Sequence, residues 1–78
     1  MEDLRIFIQN EIKNLAFVNV EFSDSLIKSK LLDSISVVDL LVAIEEEIGK
    51  KIPQHLIIDD NFDTIESILE ILKKNNLC

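Results

Sequence analysis

The chain has 78 residues and a formal net charge of −7, which leaves room for one domain near the size where a single core gives modest stability. Its 8 basic residues are scattered among 15 acidic ones, which excludes the Lys and Arg clusters that DNA or RNA binding relies on and points to basic proteins as partners. Hydrophobic residues make up 47% with 4 Phe and neither Trp nor Tyr, so the core must be built from Leu, Ile and Val.

In chain order, Met1-Glu2-Asp3 lacks the positive start of a secretory signal, and no apolar run approaches the length of a membrane span. The expectation is a cytoplasmic, monomeric protein without membrane insertion. Leu4, Ile8, Ile12 and Leu15 recur at helical spacing, with Arg5, Gln9, Glu11 and Lys13 between them, and predict a first amphipathic helix. Residues 16–32 hold no period and carry Asn19, Ser23, Asp24, Ser25 and Ser29. They read as a loop pinned by Phe22, Leu26 and Leu31, of a length unusual in a small domain. A second helix is expected to start between Ser34 and Ser36 and to end at Gly49, which suits the left-handed conformation that terminates helices. Val37, Leu40, Leu41, Ile44 and Ile48 fall on one side of it and should pack into the core. Ile35, Asp39, Val42 and Glu46 form a second stripe, at spacings of four, three and four. That stripe reads either as a solvated face with two incidental hydrophobes or as a docking surface.

After Pro53 a short irregular or single-turn helical segment, Gln54 to Phe62, leads to a last helix from Thr64 to Lys74. Asp63 followed by Glu66 predicts a capping box for it, Ile65, Ile68, Leu69 and Leu72 its buried face, and Lys73-Lys74 suit its dipole. The expected fold is all-α: a single domain over residues 1–78, a small four-helix bundle of three longer helices and one short one. The lone cysteine, Cys78, cannot form an internal disulfide and is given no role.

The most informative stretch begins at Leu31-Leu32-Asp33-Ser34-Ile35-Ser36. The first turn of a helix has unpaired N–H groups and a partial positive charge, so a phosphate on Ser34 would be favourably placed. A hydroxyl there is open to a modifying enzyme, on which the neighbouring Asp33 could orient the substrate or a metal ion. An Asp-Ser pair alone is also an ordinary helix cap. The downstream context is more specific: the apolar and acidic run Val37 to Ile48, with Glu45-Glu46-Glu47 before Ile48, and then Ile52-Pro53.

Together these residues resemble the modification site of acyl carrier proteins, the phosphopantetheine-binding carriers, in which an Asp-Ser-Leu triplet, here Asp33-Ser34-Ile35, opens the second helix. The family also has a long loop between its first and second helices. The resemblance implies that Ser34, with Asp33 beside it, carries 4'-phosphopantetheine placed there from coenzyme A by a phosphopantetheinyl transferase. It implies a carrier rather than an enzyme, holding acyl groups as thioesters. It makes Ile35, Asp39, Val42 and Glu46 a docking face for acyl or aminoacyl ligases, ketosynthases or acyltransferases, and, for a carrier of long chains, Val38, Leu41, Ile57 and Ile65 the apolar residues among which a lining would be found, the pattern leaving open which of them line it. Housekeeping fatty-acid carriers usually have a glycine shortly before the Asp-Ser pair. Leu31-Leu32-Asp33-Ser34 and Asn61-Phe62-Asp63-Thr64-Ile65 look more like specialised carriers, including D-alanyl, aminoacyl and peptidyl types. An unmodified acidic helical module for protein interaction is the alternative from a different class.

Rival sites are weaker. Asp24-Ser25-Leu26 fits the family letters better, but Ile27-Lys28-Ser29-Lys30 comes next instead of an acidic helix, so Ser25 reads as a loop residue. Asp59, Asn61, Asp63 and Glu70 match calcium-loop positions, yet Thr64 stands where such a loop needs glycine, and the helical pattern already begins at Ile65. No nucleophile has a base beside it, and His55 reads as a surface residue. Glu45, Glu46 and Glu47 point in different directions along a helix, which argues for a solvated acidic end and against a metal site. Clustered like charge should destabilise the bundle by self-repulsion. Salt or magnesium is therefore expected to raise the melting temperature, and a melting point constant across a salt titration would contradict this.

Overall fold

A computed structural model describes residues 2–78, with side chains described from Leu4 onward. Among them, α1 spans Glu2–Ala16, α2 Ser34–Ile48, α3 Asp59–Phe62 and α4 Ile65–Lys74, with a 3-10 turn at Gln54–Leu56. Three longer helices and one short one form the expected all-α bundle. The connection expected as a short irregular or single-turn helical segment, Gln54 to Phe62, consists of the 3-10 turn followed by α3.

Helix α1 packs against α2 and α4, and α3 packs against α4. Each helix turns its periodic apolar residues to a common core. Ile8, Ile12, Leu40, Ile44, Ile65, Ile68 and Leu72 are essentially fully buried, and Leu26 from the long loop joins them. On α2, Leu40 and Ile44 are at the centre, while Val37, Leu41 and Ile48 are half-buried around it. No polar or charged residue among those described is buried. The core is therefore held by apolar burial and packing alone.

Helix ends are stopped by identifiable local chemistry. Gly49 adopts φ 71° and its N–H donates to the Glu45 carbonyl at 2.9 Å, which is the left-handed ending expected of glycine at that point. The Glu45 carboxylate then accepts the Ile52 N–H at 2.8 Å, tying the chain after α2 back onto the helix. At the end of α4 Asn76 takes φ 57°. There the Asn76 N–H donates to Lys73 O at 3.1 Å and the Leu77 N–H to Leu72 O at 2.8 Å, a Schellman motif with asparagine in the left-handed place.

The capping box of α4 is one residue later than predicted. Thr64, in extended conformation, accepts the Ser67 N–H at 3.0 Å, and the Thr64 N–H donates to the Ser67 hydroxyl at 3.2 Å. Asp63 is not the cap because its backbone is helical, with φ −74° and ψ −30°, and its carboxylate is used elsewhere.

That use is to hold the long loop. Residues 17–33 form no helix, although Val20, Leu26 and Leu32 are buried and Phe22, Ile27 and Leu31 pack beside them. One Asp63 carboxylate oxygen accepts the Ile27 N–H at 2.9 Å and the Lys28 N–H at 2.8 Å. The Ser25 hydroxyl donates to both oxygens, at 2.9 and 3.0 Å. The Asp63 carbonyl takes the Leu26 N–H at 2.6 Å, and the Lys28 ammonium reaches Asp60 at 2.7 Å. Elsewhere in the loop Gln9 donates to Val20 O at 2.6 Å, Arg5 lies 5.2 Å from the Phe22 ring centre, and Phe22 O accepts the Glu66 N–H at 3.1 Å.

These donors hold the Asp63 carboxyl below its ordinary range, the Lys28 N–H foremost, with Ile27, Ser25 and the Lys28 charge adding and burial opposing. A depressed carboxylate stabilises the fold above its unfolded value, and that stability is lost as pH falls through the folded value. Asp63→Asn is thus expected to lower the melting temperature at pH 7 and to flatten its decline below about pH 4 relative to wild type. Parallel melting curves for the two proteins through that range would contradict the clamp.

Candidate functional site

The loop delivers the chain to α2 through one further closure. The Leu32 N–H donates to Leu26 O at 2.8 Å, with Lys30 in the left-handed region at φ 65° inside the turn. Leu32 is buried, so the next residue is fixed by both its backbone and its neighbour's side chain. That residue is Asp33, extended at φ −85° and ψ 177°, whose carboxylate accepts the Ser36 N–H at 2.8 Å while its carbonyl accepts the Val37 N–H at 3.0 Å. It is the N-cap of α2. Hydrogen bonding holds its carboxyl below the ordinary carboxylate range, chiefly from the Ser36 N–H and then from the Ser36 hydroxyl.

Ser34 is the first residue of α2 and is exposed. Its hydroxyl makes no hydrogen bond to any described residue. It lies where the unpaired N–H groups and the positive end of the helix dipole are. An exposed hydroxyl on such a turn fits a phosphodiester: the oxygen is open to substitution, and the resulting anion lies at the positive end of the helix.

Ser25 differs in every one of these respects. Its hydroxyl donates to Asp63 and accepts the Ser29 N–H at 3.1 Å, its carbonyl accepts the Ser29 hydroxyl at 2.6 Å, and the side chain is half-buried. Substituting that oxygen would break the clamp on the loop. The serine that fits the family letters better is thus committed to structure, and the serine chosen by context is open.

The second stripe of α2 lies in solvent. Ile35 is 72% exposed and Val42 47%, and Asp39 and Glu46 are exposed between and beyond them. Val38, expected to line a space for a chain, instead joins this outer face at 56% exposure. Its neighbour Val37 is half-buried at the edge of the core, and the helical turn from one residue to the next carries Val38 away from it. Of the other three lining residues, Ile65 is fully buried in the packed core, and Leu41 and Ile57 are half-buried against it. At the far end of the stripe an open groove of about 300 Å³ is lined by Val42, Glu45, Glu46, Gly49, Lys50 and Lys51.

The calcium-loop residues do not converge. Asp59 and Asn61 are in helix α3, where Asn61 donates to Leu56 O at 2.8 Å; Asp63 holds the loop, and Glu70 is exposed on α4. No group of three or more His, Cys, Asp or Glu among the described residues is placed to hold a metal. His55 is exposed in the 3-10 turn, and no described helix is long and apolar enough to cross a membrane.

A family model described as a phosphopantetheine attachment site matches residues 18–72, from the long loop through α2 and into α4. No curated protein and no solved structure matches the chain. The chain belongs to the phosphopantetheine-attachment family, the carrier domains to which 4'-phosphopantetheine is covalently joined.

Proposed function

We propose that the protein is an acyl carrier whose 4'-phosphopantetheine arm is attached at Ser34. The observation that supports this most is the contrast between two hydroxyls: Ser34 is exposed at the start of α2 without a hydrogen-bond partner among the described residues, and Ser25 is bound into the Asp63 clamp. The Ser34 oxygen would attack the phosphorus on the pantetheine side of coenzyme A. A new O–P bond forms, the nucleotide half leaves, and the hydroxyl proton passes to the phosphopantetheinyl transferase. Asp33 keeps the first turn in shape during that step, because its carboxylate is spent on the Ser36 N–H. When bound, the arm supplies a terminal thiol on which acyl groups are held as thioesters, reactive toward nucleophiles.

The chain's own task is then presentation. Asp39 and Glu46 would steer basic patches of partner enzymes, and Ile35 and Val42, with Val38 beside them, would add apolar contact. The partners implied are the transferase and enzymes of the ligase, ketosynthase or acyltransferase type. Leu31-Leu32 before the Asp-Ser pair, where primary fatty-acid carriers usually have glycine, favours a specialised pathway and leaves an aminoacyl or D-alanyl cargo as the second reading. The environment proposed is cytoplasmic.

Intact mass after incubation with coenzyme A and a broad-specificity transferase should show one added phosphopantetheine in wild type and Ser25→Ala, and none in Ser34→Ala. Addition retained in Ser34→Ala and lost in Ser25→Ala would refute the assignment, and no addition to wild type would favour the unmodified interaction module. Charge reversal, Asp39→Lys or Glu46→Lys, should cut loading efficiency roughly tenfold at low salt with a smaller loss at high salt. Equal loading rates would remove the docking face.

A further inference from the structure

The Asp63 clamp and the Ser34 hydroxyl belong to one mechanical unit. Ser25 and Asp63 are 38 residues apart in sequence and in direct contact. From the clamp the chain runs through Leu26, whose N–H is held by Asp63 O at 2.6 Å and whose own carbonyl holds the Leu32 N–H at 2.8 Å. Leu32 is joined directly to the Asp33 cap, and Asp33 to Ser34. Each link is a short backbone hydrogen bond or a peptide bond, and the two leucines are buried. Lys28 fastens the same loop twice, by its N–H to Asp63 and by its ammonium to Asp60 at 2.7 Å.

We propose that Asp63 is a positioning residue for modification of the chain: by fixing residues 25–32 it sets how the Asp33 cap and the Ser34 hydroxyl are presented to the transferase. This rests on the assignment of Ser34 as the attachment site. Without the Asp63 carboxylate, residues 25–28 keep the Leu26 N–H bond to the Asp63 carbonyl, the exposed Lys28–Asp60 pair and the apolar anchors, and the Ile27 and Lys28 N–H groups lose their acceptor. Exposed ion pairs contribute little to order. The loop then samples several arrangements, of which one presents Ser34 correctly. A partner that binds one arrangement among several binds with an apparent affinity reduced by the populated fraction, while the chemical step after binding is unchanged. The effect therefore falls on KM and leaves kcat in place. A general loss of stability would not divide that way.

The test uses full-length apo protein as the transferase substrate. Asp63→Ala should raise KM for the carrier about tenfold with kcat within about twofold. Asp63→Asn, which keeps an acceptor oxygen for the Ile27 and Lys28 N–H groups, should recover part of the loss. Ile68→Val, a change in the α4 core, should keep the wild-type KM. Amide hydrogen exchange gives a readout independent of loading: the Leu32 and Ser36 N–H groups should exchange faster in Asp63→Ala than in Ile68→Val. An unchanged KM in Asp63→Ala, an equal rise in Ile68→Val, or unchanged Leu32 protection would overturn the proposal. Should Asp63→Ala fail to fold, Ser25→Ala removes only the shared hydroxyl and is expected to raise KM several-fold, and wild-type KM there overturns the proposal equally. Faster Leu32 exchange in Asp63→Ala, together with a wild type that takes no pantetheine at Ser34, would overturn the attachment assignment. Unchanged Leu32 exchange with Ser34 loaded would overturn the positioning role alone.

Discussion

Residues 17–33 form no helix, yet they must bring the chain from the end of α1 to the start of α2 in one arrangement, and the carboxylate of Asp63 gathers more of the polar contacts that fix them than any other side chain. A loop has no internal hydrogen-bond ladder to set its register. Unsatisfied backbone donors beside a packed core are costly, so their partners must come from elsewhere in the fold. Asp63 stands at the joint between α3 and α4, and its oxygens meet Ser25, Ile27 and Lys28 together. Apolar burial of Val20, Leu26 and Leu32 holds the loop to the core, and the hydrogen bonds choose which arrangement of the loop is held.

Much of the fold is legible in the sequence because helices announce themselves locally. The spacing of Leu4, Ile8 and Ile12 and that of Ile65, Ile68, Leu69 and Leu72 each place a buried face correctly, and Gly49 marks the end of α2. The box at α4 is misplaced by one residue because Asp63 and Thr64 are both good capping residues, and Asp63 is drawn to a partner far away in sequence. No periodicity carries that information. The one local hint is that an Asp so close to a helix start, with Thr64 after it, has another task. Val38 fails for a different reason: the full set of residues 35, 38, 39 and 42 turns outward, and sequence pattern alone cannot say how wide the solvent face of α2 is.

The local geometry of the candidate site is legible in outline. Ser34 and its Asp33 cap are where the residues around them imply, and Ile35, Asp39, Val42 and Glu46 share the exposed face of the same helix. Sequence does not supply the physical reason for setting Ser25 aside, since the engagement of its hydroxyl depends on tertiary contact with Asp63. Nor does it show that Glu45 differs from its acidic neighbours. Glu45 is half-buried and accepts the Ile52 N–H, while Glu46 and Glu47 remain in solvent. The acidic end of α2 is therefore part fastening and part exposed negative charge.

Everything proposed for the chain depends on the arm being joined to the open hydroxyl at the start of α2. Phosphorus-proton correlation on the isotope-labelled, transferase-treated protein reads that linkage directly. Attachment at Ser34 requires a cross-peak from the phosphodiester phosphorus to the β-protons of Ser34, with amide shift changes centred on residues 33–37 and the Ser25 resonances unmoved. A phosphorus signal correlated with Ser25, or no phosphodiester signal in protein treated alongside a carrier that is fully modified, would contradict it.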